Sequence, residues 1–295
     1  MNPMILQSIY IYPIKSLGGV SVSEAVVEAR GLRHDRRYML VTPTGQFITQ
    51  RTHHQMALIK VAMDESINEL RVWHRHNPAD VLTLFLVPQQ ATEPVLPVNI
   101  WDSEGVSAQP VGNEADTWFS RMLDTDCRLV YMPDSTQRTI TSSHVRPTTV
   151  TDDVVSFADG FPMLIVTESS LNELNRRIDA PDGVAMSMAR FRPNMVVEGL
   201  CWPHDEDTWG TFRLGEATLH GVKPCSRCVL TTIDPATAET GKEPLRTLAR
   251  YRATRHKIIF GENVMVHPNS VGQTIRAGDA VRVIERKEPW LPVGV

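Results

Sequence analysis

The chain has 295 residues, room for two domains or one large one at roughly 150 residues per domain. Lysine and arginine number 30 against 34 aspartates and glutamates, a formal charge of −4 that excludes a polycationic nucleic-acid binder. Hydrophobic residues at 42% and charged residues at 22% exclude a disordered or fibrous chain, and no apolar run approaches the roughly 20 residues that span a bilayer.

In chain order, the start (MNPMILQSIYIYPIKSL) lacks the basic region and cleavage site of a secretory signal and the Arg-rich pattern of a transit segment. Residues 7–14 predict a first strand, with Ile9 and Ile11 on one face and Tyr10 and Tyr12 on the other. Residues 37–42 predict another; a turn at Pro43-Thr44-Gly45 then leads to residues 46–49 as its hairpin partner. Segments 58–63, 69–74 and 81–87 continue the series. Strands at such short intervals predict a mainly-β, barrel-like domain over residues 1–112.

At Gly112 the pattern changes. Ala115, Trp118, Phe119, Met122 and Leu123 form one helical stripe, with Asn113 as its N-cap. A strand is expected at 127–132 and a long loop at 133–153. A strand at 162–166 precedes a helix capped by Thr167 and carrying Leu171, Leu174 and Ile178, and a short strand follows at 194–198. Gly215-Glu216 and Gly278-Asp279 both read as hairpin turns between alternating strands. Pro244 suits the first position of a helix through Leu245, Leu248 and Ala249. The expectation is an α+β fold: residues 113–285 as a second domain with a strongly bent sheet and flanking helices, and a frayed tail at 286–295.

The sharpest chemical feature is Lys223-Pro-Cys225-Ser226-Arg227-Cys228. A thiolate is the reactive form of cysteine, and Lys223 and Arg227 favour it. Redox exchange, zinc binding and ligation of another transition metal all want such a group. The thioredoxin-like version needs a helix start, whereas residues 229–233 are rich in β-branched side chains and read as extended. Zinc has a possible four-ligand set in Cys201, His204, Cys225 and Cys228; the bland alternative is a pair of unliganded cysteines packed as small hydrophobes. Four cysteines are too few for a disulfide scaffold in a chain this long, and a reducing, cytoplasmic address follows.

Other polar groups stand at strand ends, where site residues are commonly displayed: Lys15-Ser16, Asp35-Arg36-Arg37, Arg51, Asp159-Gly160-Phe161, and Arg192 with Asn194. Taken singly, each reads as a surface charge or a turn former. Taken in order, the segments PIKS, GLRHDRRYMLV, FITQR, SFADGFP, FRPN, KPCSRCVLTTIDP, KEPLRTL and FGEN resemble the MOSC family of molybdenum-cofactor proteins with its N-terminal β-barrel domain. The match is most like the amidoxime-reducing component and bacterial relatives that detoxify N-hydroxylated bases, and it runs over nearly the whole chain.

The resemblance implies a molybdopterin-type molybdenum cofactor. It makes Cys228 the metal's protein thiolate and the catalytic residue. Lys15, Ser16 and Arg36 match positions that hold the pterin and its phosphate, and Asp159, Gly160, Phe161, Arg192 and Asn194 match positions lining the cofactor. Ser226 and Arg227 would shape the turn presenting Cys228, and Cys225 has no ligand role. The implied reaction is reduction of N-hydroxylated small molecules such as hydroxylamines, amidoximes or N-hydroxylated purines. The plant-type iron–sulfur domain of some bacterial relatives is missing, so no iron–sulfur cluster is expected in this chain. Electrons would come from a separate ferredoxin- or flavin-reductase-like protein, and neither nucleic acid nor membrane is an expected partner. Two alternatives remain: a sulfur carrier or cofactor-handling protein with a persulfide on Cys228, and a zinc-stabilised binding module. Phosphate is well held by a lysine point charge and an arginine fork, so an acidic protein must gather those cations locally.

Overall fold

The computed structural model describes residues 3–88, 94–140, 154–178, 185–254 and 257–289. Its largest element is a nine-stranded sheet. In spatial order the strands are Val281–Arg286, Trp209–Leu214, Ala217–Arg227, Lys257–Val266, Met163–Thr167, Met195–Glu198, Ile5–Ile11 and Val20–Val22, with Ala253–Thr254 paired to Lys257–Val266. The ends of this order meet again. Leu6 N donates to Asp279 O and Val281 N to Met4 O, so the sheet curls into a half-barrel. Its interior is lined by Leu6, Ile9, Ile11, Met163, Ile165, Trp209, Phe212, Leu219 and Val264, all nearly or fully buried. Burying each large apolar side chain stabilises the fold by about 1.5–3 kcal/mol. A register shift between Leu6 and Ser8 lets Leu6 share the inward face with Ile9 and Ile11, which strict alternation would forbid.

The rest of the first half holds a four-stranded sheet and a three-stranded meander, while Glu24–Glu28 and Gly31–Leu32 join Thr274–Arg276 in a further three-stranded sheet. The four-stranded sheet runs Tyr38–Val41, Arg128–Tyr131, Ser103–Pro110, Leu96–Ile100, and the meander Ile59–Asp64, Glu69–His74, Asn77–Phe85. Helix α1 (Asn113–Leu123) buries Ala115, Trp118, Phe119 and Leu123, the stripe expected from its periodicity, against Ile14, Leu17, Tyr38 and Met56. Its cap is Gly112, in a conformation (φ +130°) that only glycine adopts readily, and not Asn113, which is already helical. Helix α2 (Glu168–Arg177) is capped by Thr167, whose hydroxyl accepts from Ser170 N. Helix α3 (Leu245–Tyr251) starts one residue after Pro244. The fold is mostly β with three α-helices among the described residues, and none of them is long and apolar enough to cross a membrane.

Several expectations need correcting. The Gly215 hairpin forms, but Gly278 joins strands that do not pair with each other. Thr274–Arg276 pairs with Glu24–Glu28, while Val281–Arg286 pairs with Trp209–Leu214. Asp279 accepts from Arg276 N and closes a local turn there, leaving both strands free to find other partners. Residues 46–49 contribute isolated bridges and not a full strand. The segment after Cys228 is a 3-10 turn, Val229–Thr232, because Thr231 returns both its backbone N–H and its hydroxyl to Cys228 O. The strand Val281–Arg286 runs one residue past the expected boundary, and residues 290–295 of the expected tail lie outside the described residues. Arg286 ends a strand and pairs with Asp205, and Lys287 donates to Gly221 O. Residues 141–153 of the expected long loop lie outside the described residues.

Candidate functional site

The strand Ile5–Ile11 belongs to the half-barrel, and the chain after it crosses to the smaller sheet, where Lys15 N donates to Tyr38 O. Four other segments converge on this crossing. Arg36 N donates to Tyr12 O, Phe157 N donates to Arg36 O, Asn194 O accepts from Tyr10 N, and Ala217–Arg227 delivers Cys228 at its end. Between them lies a cavity with about 760 Å³ of empty space, part of it open to solvent. Lys15, Ser16, Arg36, Asp159, Gly160, Phe161, Arg192, Asn194, Ser226, Arg227 and Cys228, all singled out from the sequence, line this one cavity.

Its electrostatics invert those of the whole molecule. Lys15, Arg36, Arg51, Arg192 and Arg227 line the walls with, among the described residues, a single carboxylate, Asp159. Lys15 is buried; its ammonium donates to Phe157 O at 2.8 Å and pairs with Asp159. Desolvation pulls Lys15 down to about 8 despite the opposing pull of Asp159. Desolvation likewise lowers Arg192 to about 10. Asp159 behaves oppositely. Desolvation works against its charge, but Lys15 and then Arg51 overcome this and hold the carboxyl below the usual carboxylate range. Trp101 Nε1 also donates to Asp159, at 3.2 Å, and Arg51 Nη2 at 2.9 Å. Asp159 is thus engaged by two cations and an indole at the cavity wall.

Arg36 donates from Nη1 to Asp35 Oδ2 at 2.5 Å and to Asn194 Oδ1 at 3.0 Å, and from Nη2 to Arg192 O. Asn194 is almost fully buried, and its amide nitrogen donates to Tyr10 O, so it braces the wall as well as lining it. Arg227 donates to Cys225 Sγ at 3.0 Å and to Phe191 O at 2.7 Å. Cys228 is half-buried, extended in backbone, and lines the cavity, as does the half-buried Cys225. Two buried donors of the wall, Arg192 Nη2 and Arg227 Nε, have no hydrogen-bond partner. Ser16, Arg36 and Arg192 all adopt positive φ (69°, 50° and 55°), a conformation that costs a non-glycine residue about 1–3 kcal/mol and clusters at functional sites.

Sequence reasoning passed over two contributors, Trp101 and Arg138, and gave a third, Arg51, no site role. Arg51 was visible as a strand-end cation. Trp101, at φ +52°, stacks under Arg51 at 4.2 Å from the ring centre, and little in the sequence marked it. Arg138 lies in what read as featureless loop, yet it donates to the carbonyls of Ser156, Ala158 and Asp159 and fixes the loop that presents Asp159. The zinc set does not assemble: among the described residues no three His, Cys, Asp or Glu side chains gather as a metal would need. Cys201 instead contacts Ser169 Oγ at 3.2 Å, and His204 packs against Tyr251 and Phe260.

Comparison with known proteins follows the same lines. The MOSC N-terminal beta barrel domain matches residues 4–126, and the MOSC domain matches residues 152–282. Mitochondrial amidoxime-reducing component 1 of Mus musculus is 33% identical over 290 residues, covering 94% of this chain and 81% of that protein. Mitochondrial amidoxime reducing component 2 of Homo sapiens is 33% identical over 249 residues, 83% of this chain and 71% of that one. Molybdenum cofactor sulfurase of Oryza sativa subsp. japonica is 30% identical over 94% of this chain, which spans 35% of that longer protein. Among solved structures, the YUAD protein from Bacillus subtilis is a distant likeness, with TM-score 0.41 and 11% identity over 95% of this chain and 97% of that one. With both domains matched in order, and a relative one-third identical along four-fifths of its length, the chain belongs to the MOSC family, carrying the N-terminal β-barrel domain ahead of the MOSC domain.

Proposed function

We propose that the cation-lined cavity binds a molybdopterin-type molybdenum cofactor, with Cys228 as the metal's protein thiolate, and that the protein reduces N-hydroxylated compounds there. The observation that carries this reading is the convergence of five cations and the half-buried thiols of Cys225 and Cys228 on a single cavity in a chain of net charge −4. The cofactor couples a soft-tolerant metal to an organic chelate with an anionic phosphate, and thiolate and guanidinium are the side chains suited to those two ends. The unpartnered donors of Arg192 and Arg227 fit an anionic occupant, since each buried orphan costs about 1–3 kcal/mol until an acceptor arrives. When bound, the cofactor supplies the two-electron chemistry that breaks an N–O bond.

The chain's own residues bind and orient. Lys15 Nζ, Arg36 and Arg192 supply charge for the phosphate end, and Ser16 lines the same wall. Lys15 follows the strand Ile5–Ile11 and Cys228 follows the strand Ala217–Arg227, so an occupant gripping both would bridge the two halves of the chain. Arg227, at the thiol's side, offers charge to an oxygen that becomes negative as the N–O bond breaks. Electrons come from a separate donor protein.

The test is protein made in a host that synthesises molybdopterin, assayed for Mo, Zn and Fe and for turnover of a hydroxylamine or amidoxime with reduced viologen. Molybdenum near one per chain with turnover is expected. Cys228→Ser should abolish activity and alter the metal's spectrum, and Cys225→Ser should do less. A molybdenum-loaded sample inert toward every N–O compound tried would sink the activity. A second reading, a persulfide carried on Cys228, draws on the likeness to the cofactor sulfurase; it calls for a mass gain of one sulfur on Cys228 in protein lacking molybdenum.

A further inference from the structure

A second cavity, with about 720 Å³ of empty space, lies beside the first, and the two share Arg192 and Leu230 as wall. Its lining is unlike that of the first. Leu17, Ala57, Met188, Leu230, Ile233 and Pro235 make it largely apolar, and among the described residues no carboxylate lines it. Three cations do: Lys60, Arg190 and Arg192. Arg190 is neutralised by Asp234 at 2.5 Å. The other two are not. Lys60 Nζ has a single long hydrogen bond, to Pro235 O at 3.4 Å, and burial followed by the repulsion of Arg75 lowers its pKa. Arg192 Nη1 donates to Leu17 O at 2.6 Å, while its Nη2 is buried without a partner.

An apolar chamber with two under-compensated cations and no acid selects its ligand by chemistry. A cation is repelled, and a neutral hydrocarbon leaves Lys60 and Arg192 desolvated and unpaired. A monoanion with an apolar body satisfies both requirements. We propose that this second cavity is a binding site for a small hydrophobic carboxylate, held by Lys60 and Arg192, and that its occupancy is coupled to the neighbouring anion site through Arg192. The coupling is negative, because one guanidinium with one free donor faces two anionic ligands, and it is reciprocal by linkage. The site stands on its own geometry, whereas the coupling rests on the proposed binding of an anion in the first cavity.

The test uses the full chain as purified, with benzoate as the probe and benzyl alcohol as its neutral counterpart, read by titration calorimetry. Benzoate should bind at least about tenfold more tightly than benzyl alcohol, and Lys60→Met should remove that preference. Ala189→Trp, at the exposed rim, should weaken both ligands. Saturating inorganic phosphate should lower the affinity for benzoate several-fold, and benzoate should lower that for phosphate by the same factor. Equal binding of benzoate and benzyl alcohol, no binding of either, or benzoate affinity unmoved by both substitutions would overturn the site. Benzoate binding indifferent to phosphate would overturn the coupling. Thermal melts of both variants establish that they fold, and the two substitutions lie on different segments, so one failure to fold leaves the other informative.

Discussion

Tyr12 organises the cationic wall without carrying charge itself. The Arg36 guanidinium lies 4.5 Å from its ring centre and that of Arg192 lies 4.2 Å away, so one aromatic ring holds two like charges beside each other. Its hydroxyl donates to Pro193 O at 3.2 Å, and burial, the largest influence, pushes the phenol up to about 12, so it stays neutral. Each cation–π contact of this kind is worth about 0.5–2 kcal/mol. Tyr12→Leu should therefore weaken inorganic phosphate binding by roughly tenfold, while Tyr12→Phe, which keeps the ring, should restore it to within about threefold. Equal losses from the two would assign the effect to the hydroxyl. Lys15 adds a pH signature. Its proton is held with a pKa of about 8 because burial outweighs the help of Asp159, and a bound anion would raise that value. Anion affinity should be full below pH 8 and fall as pH rises through it. A flat profile from pH 7 to pH 9.5 would remove Lys15 from the contact.

At the scale of elements, the strand that ends in Cys228 is aimed by a glycine. Ala217–Arg227 shifts register against Lys257–Val266 between Gly221 and Lys223, and a Cβ on Gly221 would sit 2.0 Å from Trp209 O. No side chain fits so close an approach of two backbones. Gly221→Ala should cost at least about 2 kcal/mol in urea unfolding, whereas Gly241→Ala, whose added Cβ meets nothing nearer than 4.0 Å, should stay within about 0.5 kcal/mol. Comparable costs would mean that strand crossing has slack. Elements of this kind were legible where the cause is local: the stripe of α1, the Thr167 cap and the Gly215 hairpin all follow from residues within a few positions of each other. The strand-end cations were legible as types, but their convergence was carried by the resemblance of ordered motifs. Asp159 meets Arg51 across 108 residues, and no local period encodes that. The turn after Cys228 was misread because two threonine hydroxyls, each returning to a carbonyl three residues back, outweigh the extended preference of a β-branched run.

Across the whole molecule the half-barrel is closed by both ends of the chain, and its wall encloses three acids, Glu206, Asp207 and Glu262, each almost fully buried. Two have cations: Asp207 pairs with Arg252 at 2.5 Å, and Glu262 pairs with Lys287. Glu206 has none. Its Oε2 accepts from the hydroxyls of Thr167 at 2.9 Å and Ser170 at 2.8 Å, and burial, reinforced by Asp207, pushes its carboxyl up to about 7. Below pH 4.5 both the folded and the unfolded chain hold this proton. Between 4.5 and 7 the folded chain keeps a proton that the unfolded chain has released, so stability falls as pH rises through that window and levels above it. The full loss is about 3 kcal/mol. Glu206→Gln cannot titrate but keeps an acceptor for the two hydroxyls. Its urea-unfolding free energy, compared with that of the wild type, should therefore gain up to about 3 kcal/mol between pH 5 and pH 8. Parallel profiles for the two proteins across that range would mean that Glu206 is ionised throughout, held as a carboxylate by the hydroxyls of Thr167 and Ser170.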